Sequence, residues 1–263
     1  MYPLHYRSSS ELIQVIYQLR KMYTEGKLGG ERMPEDENPG LPVSSAENYH
    51  FFTLPMALNY QRNSYALWAA AHKTFLDPST RVVFDPQAVV TMDDQSLRTA
   101  LTKYGVALQP IRQTLTWKTI SAAICTLLNS DVRNLFVRTE GRIPSVLEFM
   151  QRTHKAHFPY LSGVKICPYW LYVLSQYTDV ELKEREALSV APDTHVIQAT
   201  IRLGLVPSGV AGNSDIQQLV ANAWQEILRD TDLLPIDLHT PLWLWSRKGF
   251  PEIANDCGGR GTR

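Results

Sequence analysis

A mainly α-helical fold is predicted for this chain of 263 residues, and three observations predict it. Apolar residues recur at three- and four-residue spacing over most of the length, strict alternation is nearly absent, and clusters of Gly, Pro, Asn and Ser separate the periodic stretches. Residues 8–27 form the first such stretch, with Leu12, Ile13, Ile16, Leu19 and Met22 on one face of an amphipathic helix. The run from Gly29 to Ser45 is rich in Gly, Pro and acid and reads as a loop or mobile connection. A helix is expected from about Pro55 to Phe75, ended by Pro78, with Val82-Val83-Phe84 as a short strand or extended link. Further helices are expected over 94–104, 114–128, 146–155, 166–177, 194–203, 215–229 and 239–245. Asn129-Ser130-Asp131, Gly141, Pro144 and Pro207-Ser208-Gly209 punctuate them. The segment from Asp256 to Arg263 has too little apolar surface to join a core and is expected to be a flexible tail.

The length suits one large domain or two closely joined ones, with 44% hydrophobic and 20% charged residues, an ordinary globular balance. No apolar run approaches the ~20 residues needed to cross a bilayer. Residues Met1 to Arg7 lack the apolar core of a secretory signal, so a cytoplasmic protein without a membrane partner is expected. Basic and acidic residues balance at 26 each, so no global field attracts a polyanion, but a local basic surface suffices for that. Arg152, His154, Lys155, His157 and Lys165 form such a cluster, with no acid between Gln151 and Tyr177; the alternative, which charge alone does not exclude, is a solvated helix face. Cys125, Cys167 and Cys257 lie far apart with no Cys-x-x-Cys, which argues against zinc ribbons and dithiol redox chemistry. No metal triad is evident, and no metal or other cofactor is expected.

The most specific segment is Val190-Ala191-Pro192-Asp193-Thr194-His195-Val196, followed by Arg202-Leu203-Gly204-Leu205. Pro192 biases Ala191 towards an extended conformation, so Asp193 arrives just after a turn. Asp and Thr start helices well, and Val196, Thr200 and Leu203 continue one largely apolar face. Asp193 by itself reads as a plain helix cap. The segment as a whole resembles the Asp-Thr-His-Val…Arg-Leu-Gly-Leu signature of the helix-hairpin-helix DNA glycosylases, the endonuclease III superfamily, with Arg202 nine positions after Asp193 as that family places its arginine. The register of the two halves favours a catalytic Asp193. The resemblance covers roughly Pro86 to Phe250 and implies two helical subdomains flanking a cleft with a helix-hairpin-helix motif. The three cysteines cannot supply the four-cysteine iron–sulfur loop that many members carry.

Upstream, His157-Phe158-Pro159-Tyr160-Leu161-Ser162-Gly163-Val164-Lys165 resembles the hairpin Leu-Pro-Gly-Val-Gly-x-Lys. Leu161, Gly163 and Val164 match in order, Ser162 replaces the proline, and no Gly-x pair precedes Lys165. By the resemblance, Gly163 and Val164 would approach a DNA phosphate, and Lys165 would be either an amine nucleophile or a phosphate contact. The 28 residues from Lys165 to Asp193 exceed the common spacing and are closer to archaeal 8-oxoguanine glycosylases. Lys155 is a further expected phosphate contact. Tyr169 and Trp170, in the aromatic helix that follows, are either walls of a base pocket or core.

Ala57-Leu58-Asn59-Tyr60-Gln61-Arg62-Asn63-Ser64 resembles the family's Leu-Ser-x-Gln-x-Thr segment, whose polar side chain fills the gap left by an extruded nucleotide. This makes Asn59, Gln61 and Arg62 candidate DNA contacts and Tyr60 a candidate stacking face, against the alternative of a polar stripe on a buried helix. Asp237-Leu238-His239-Thr240-Pro241-Leu242-Trp243-Leu244-Trp245 resembles the closing helix, so Asp237 and His239 are candidate pocket residues and the two tryptophans packing residues. The boundaries implied are an N-terminal helix and mobile loop over 1–48, a glycosylase-like domain over 49–250 and a flexible tail over 251–263.

The expected activity is excision of a modified base from double-stranded DNA, by a monomeric, cofactor-free, nucleoid-associated enzyme acting in base-excision repair or in defence against phage DNA with modified bases. The excised base is extruded from the stack, and Asp193 stabilises the charged sugar and activates water or Lys165. Two alternatives stay open: a nucleoside N-glycosidase of the queuosine-salvage type, favoured by the zero net charge and the degenerate hairpin, and a non-catalytic helix-hairpin-helix DNA-binding protein.

Overall fold

Helices account for all the regular structure in the computed structural model, which describes residues 8–29, 33–210 and 212–253. Twelve α-helices and no strands occur among the described residues, so the mainly α expectation holds. They are α1 (Ser9–Thr24), α2 (Ala46–Thr53), α3 (Ser64–Leu76), α4 (Pro86–Thr91), α5 (Asp94–Lys103) and α6 (Pro110–Leu128), then α7 (Arg133–Arg138), α8 (Ile143–Glu148), α9 (Ile166–Tyr177), α10 (Thr194–Arg202), α11 (Ile216–Leu228) and α12 (His239–Arg247). None of the described helices is long and apolar enough to cross a membrane.

Backbone contacts divide the chain into two units: described residues up to 29 with those from 188 onward, and residues 33–187. In the first unit α1 presents Leu12, Val15, Ile16 and Leu19 to a core shared with Val196 and Ala199 of α10 and its C-cap Leu203, Val220 and Trp224 of α11, and Leu242 and Trp245 of α12. The i, i+3, i+4, i+7 pattern of α1 is what lets one helix face supply four core residues. Inside this core the Trp224 indole N–H donates to Thr200 Oγ1 (2.8 Å), whose own hydroxyl donates to the Val196 carbonyl (2.7 Å). The first helix thus packs with the C-terminal helices, and the division falls elsewhere than the expected 1–48 and 49–250 boundaries. Much of the expected tail, including Cys257, lies outside the described residues.

The second unit is built around aromatic rings. Phe51 meets Phe52, Trp68, Phe75 and Phe84 at centroid distances of 5.3–5.8 Å, and Trp117 of α6 extends the cluster and donates its indole N–H to the Val83 carbonyl at 2.8 Å. Phe51 and Phe84 are stacked with planes 28° apart and the other pairs are edge-on or tilted, arrangements that bury large apolar areas.

Several elements differ from expectation. The helix expected over 55–75 is broken: Pro55–Leu58 forms a 3-10 turn, Gln61 takes a left-handed conformation (φ 50°), and Asn63 caps a new helix by accepting from the Ala66 N–H. Val82-Val83-Phe84 belongs to a 3-10 turn, Arg81–Phe84, rather than to a strand or extended link. Helix α6 starts at Pro110, where a proline needs no donor partner. Helix α8 ends at Glu148 and passes into a π-turn over Phe149–Thr153. Between Gly29 and Ser45, where a loop or mobile connection was expected, Pro34–Asp36 form a 3-10 turn with Pro34 and Glu35 buried. Helices α2, α4 and α7 were not anticipated, and α2 shows why: Asn48 to Thr53 are all buried, so no polar face marks a helical period.

Candidate functional site

Asp193 is the N-cap of α10. Its backbone is extended (φ −84°, ψ −180°), and its Oδ1 accepts the Val196 N–H at 2.8 Å. The half-exposed carboxylate leaves Oδ2 without a hydrogen bond among the described residues. A helix N-terminus concentrates unpaired N–H dipoles and favours a negative charge there. The other end of the same segment is equally legible. Gly204 (φ 76°) donates to the Ile201 carbonyl at 3.0 Å and Leu205 donates to that of Thr200 at 3.2 Å, the two bonds of a Schellman cap. The Gly of Arg-Leu-Gly-Leu is therefore required by the left-handed turn, and Arg202 is the last residue of α10.

The first turn of α10 lies against the last turn of α12. His195 Nδ1 is 3.2 Å from Ser246 Oγ, which donates to Gln198 Oε1 at 3.2 Å. The His195 ring meets Trp243 edge-on at 5.7 Å, and the Arg247 guanidinium lies 4.7 Å from the same indole. Because these contacts fall at the C-terminal end of α12, its first residue, His239, stands seven residues back, about 10 Å along the axis. Asp237, half-buried in the turn Pro235–Leu238, and buried His239 are thus placed at the other end of α12 from the Asp193 turn. Ser246, Gln198 and Arg247 were not singled out from the sequence. Gln198 is on the same face of α10 as His195, and the packing of α12 on α10 brings Ser246, Trp243 and Arg247 to them.

In the second unit, the expected hairpin is a series of turns leading into α9. Its left-handed residue is Tyr160 (φ 61°), not the glycine. Gly163 gives its N–H to the Tyr160 carbonyl at 2.9 Å and accepts from Cys167 at 2.9 Å, so its backbone donor is engaged within the turn and does not face a phosphate. Val164 and Lys165 are half-buried, Lys165 immediately before α9. Lys155 is exposed. Of its basic neighbours, Arg152 pairs with Glu148 at 3.4 Å, while His154 packs on Phe149 at 4.3 Å and lies 5.8 Å from His157. Desolvation, with some repulsion from His157 and Arg138, holds the His154 pKa below the usual histidine value.

The segment 59–62 separates into distinct roles. Asn59 is buried, and its Oδ1 accepts from Ser64 Oγ at 2.8 Å, so it ties the turn to α3 instead of meeting a base. Arg62 donates to the carbonyls of Val106 (2.6 Å) and Gly105 (2.9 Å), so its guanidinium is committed to protein backbone rather than phosphate. Gln61 alone of the three polar candidates is exposed, at the apex of the turn, so the alternative of a polar stripe on a buried helix does not apply to it. Tyr60 stacks on Tyr160 with centroids 4.0 Å apart and planes 12° apart, so one of its faces is already covered. Arg112 of α6 sits 5.1 Å from the Tyr160 ring and 5.9 Å from that of Tyr60.

Trp170 is core: it is 1% exposed and donates its indole N–H to Thr53 Oγ1 at 3.0 Å, so it does not wall a base pocket. Tyr169 is half-buried and donates to Glu35 Oε2 at 3.0 Å. Glu35, which the sequence did not mark, is 1% exposed, and burial pushes its carboxyl pKa up to about 7. Trp68 Nε1 lies beside this carboxyl but outside hydrogen-bond geometry, which leaves Glu35 Oε1 without a partner among the described residues. Beside it, Asp36 accepts from Tyr177 at 2.7 Å.

Burial pushes the Cys167 thiol up to about 12, which leaves it a poor nucleophile. No cluster of three or more His, Cys, Asp or Glu side chains among the described residues is arranged to hold a metal ion. Comparison of the chain with protein-family models and with curated proteins finds no match.

Proposed function

We propose that the protein is a DNA glycosylase that breaks the N-glycosidic bond of a modified base in double-stranded DNA, with Asp193 as its catalytic carboxylate. The observation that carries this reading is the half-exposed Asp193 at the start of α10, one oxygen tied to Val196 and the other uncommitted, within a segment that resembles the family's signature at both of its ends. As the glycosidic bond lengthens, its electron pair leaves with the base and positive charge develops on the sugar. A fixed carboxylate lowers the energy of that state, and can take the proton from water as oxygen bonds to C1′. The enzyme acts as a monomer, in the cytoplasm on nucleoid or invading phage DNA, for repair or defence. Duplexes carrying different modified bases, assayed for abasic sites, test the reading: release of none of them sinks it.

Binding is expected to draw on Lys155 and not on Arg62. Lys155→Ala should weaken binding to unrelated duplexes alike and reduce the salt slope by about one. Arg62→Ala should instead cost about 2 kcal/mol of stability through two lost charge-assisted bonds, with the salt slope unchanged. Affinity measured against salt, with denaturation of both variants, checks this; an unchanged slope in Lys155→Ala reduces the basic cluster to a solvated face.

Water is the expected nucleophile, since the turn before α9 lacks the Gly-x pair that precedes the lysine in the family pattern. Borohydride should therefore trap no covalent protein–DNA adduct, and strands should break only after alkali. A trapped adduct that disappears in folded Lys165→Gln would make Lys165 the nucleophile and the enzyme a lyase as well.

A further inference from the structure

A cavity of about 490 Å³ lies wholly within the second unit, bounded on its polar side by Glu47, His50, Arg81 and Asp85. Its volume falls among those of pockets that take small molecules. Pro78, Val82 and Phe84 supply an apolar wall. The distinguishing group is His50: it is 6% exposed, lines the cavity, and its Nε2 has no hydrogen-bond partner among the described residues. A buried ring nitrogen without a partner carries the full desolvation cost of an unmade bond until a ligand or water supplies one.

The charges around it select the ligand. Arg81 gives Nε and Nη2 to Glu47 Oε1 at 3.1 and 2.7 Å and lies over the Phe75 ring at 4.4 Å, so its charge is already paired with a carboxylate. Asp85 uses Oδ1 to cap α4, accepting from the Gln87 N–H at 2.9 Å. Desolvation pushes the His50 pKa down against the opposing pull of Asp131 and Asp85, which favours a neutral ring. Two carboxylates therefore face one guanidinium that is already paired, a balance that disfavours anions such as phosphate. It suits N–H donors on a flat apolar body.

We propose that this cavity is a binding site for a small, flat, amine-bearing heterocycle of nucleobase size, neutral or singly cationic, recognised by His50 and Asp85. The proposal does not depend on base excision, because its residues are none of those assigned to that reaction.

The test uses the full chain with ¹⁵N-labelled histidine, titrated with adenine, cytosine and 2-aminobenzimidazole, and with inorganic phosphate as the anionic control. At least one of the three amine probes should shift the His50 ring signals saturably, and phosphate should not. The affinity should fall at least tenfold in Asp85→Asn, which keeps the α4 cap because an amide oxygen accepts the same N–H. Absence of a saturable shift with all three probes, preference for phosphate, or undiminished affinity in Asp85→Asn would each overturn the proposal. Base release is read in a separate assay, so failure here leaves that reading untouched.

Discussion

Asp193→Asn is expected to lower base release by about 10²–10³-fold while leaving the fold nearly as stable as the wild type. The two consequences separate because Asp193 holds two positions at once. As the N-cap of α10 its Oδ1 accepts the Val196 N–H at 2.8 Å, and an asparagine amide oxygen can accept the same bond. Asn and Asp cap helices about equally well, so the variant loses little beyond the charge–dipole attraction, about 0.5 kcal/mol. As a charge beside a developing sugar cation, the carboxylate has no substitute in a neutral amide. Asp193→Ala removes both contributions and should cost a further ~1 kcal/mol of stability. Denaturation and single-turnover base release, measured on wild type and both variants, resolve the pattern. If Asp193→Asn releases base within tenfold of wild type, ~1.4 kcal/mol in barrier, Asp193 is a cap and nothing more.

Stability should fall as pH rises through the range in which Glu35 loses its proton. Its carboxyl is buried, and burial raises its pKa from 4.5 to about 7 in the folded chain. Between those values the folded protein binds more protons than the unfolded chain, so the stabilisation is complete below pH 4.5 and is lost as pH climbs through about 7. The difference amounts to roughly 3 kcal/mol. Glu35→Gln keeps an oxygen for the Tyr169 hydroxyl and carries no charge at any pH. Denaturant titrations at pH 5 and pH 8 should therefore show the variant gaining on the wild type by that amount at the higher pH. A wild-type-to-variant difference that stays constant across pH would mean that Glu35 is not buried as a protonated acid.

Local signals were legible in the chain where a single helix face or a cap decides the structure. The periodic apolar faces of α1, α5, α9, α10, α11 and α12 were readable in advance, and Pro192-Asp193 and Leu203-Gly204 mark both ends of α10. These features depend on residues at most four or five positions apart, and so on propensity, capping and backbone sterics. Long-range contacts decided the rest. Arg62 and Asn59 look like free polar groups in the sequence, yet the carbonyls of Gly105 and Val106 claim one and Ser64 the other. Trp170 could have lined a pocket, but Thr53, 117 positions away, fixes it in the core. Helix α2 was invisible because burial on every side erases the polar face that a period needs. Glu35 carries no local mark at all, since its pKa is set by its burial in the folded chain. The sequence by itself therefore determined the helical class and the capped start of α10, whereas tertiary packing alone decided which polar side chains remain available for chemistry, because partners distant in the chain compete for the same donors and acceptors.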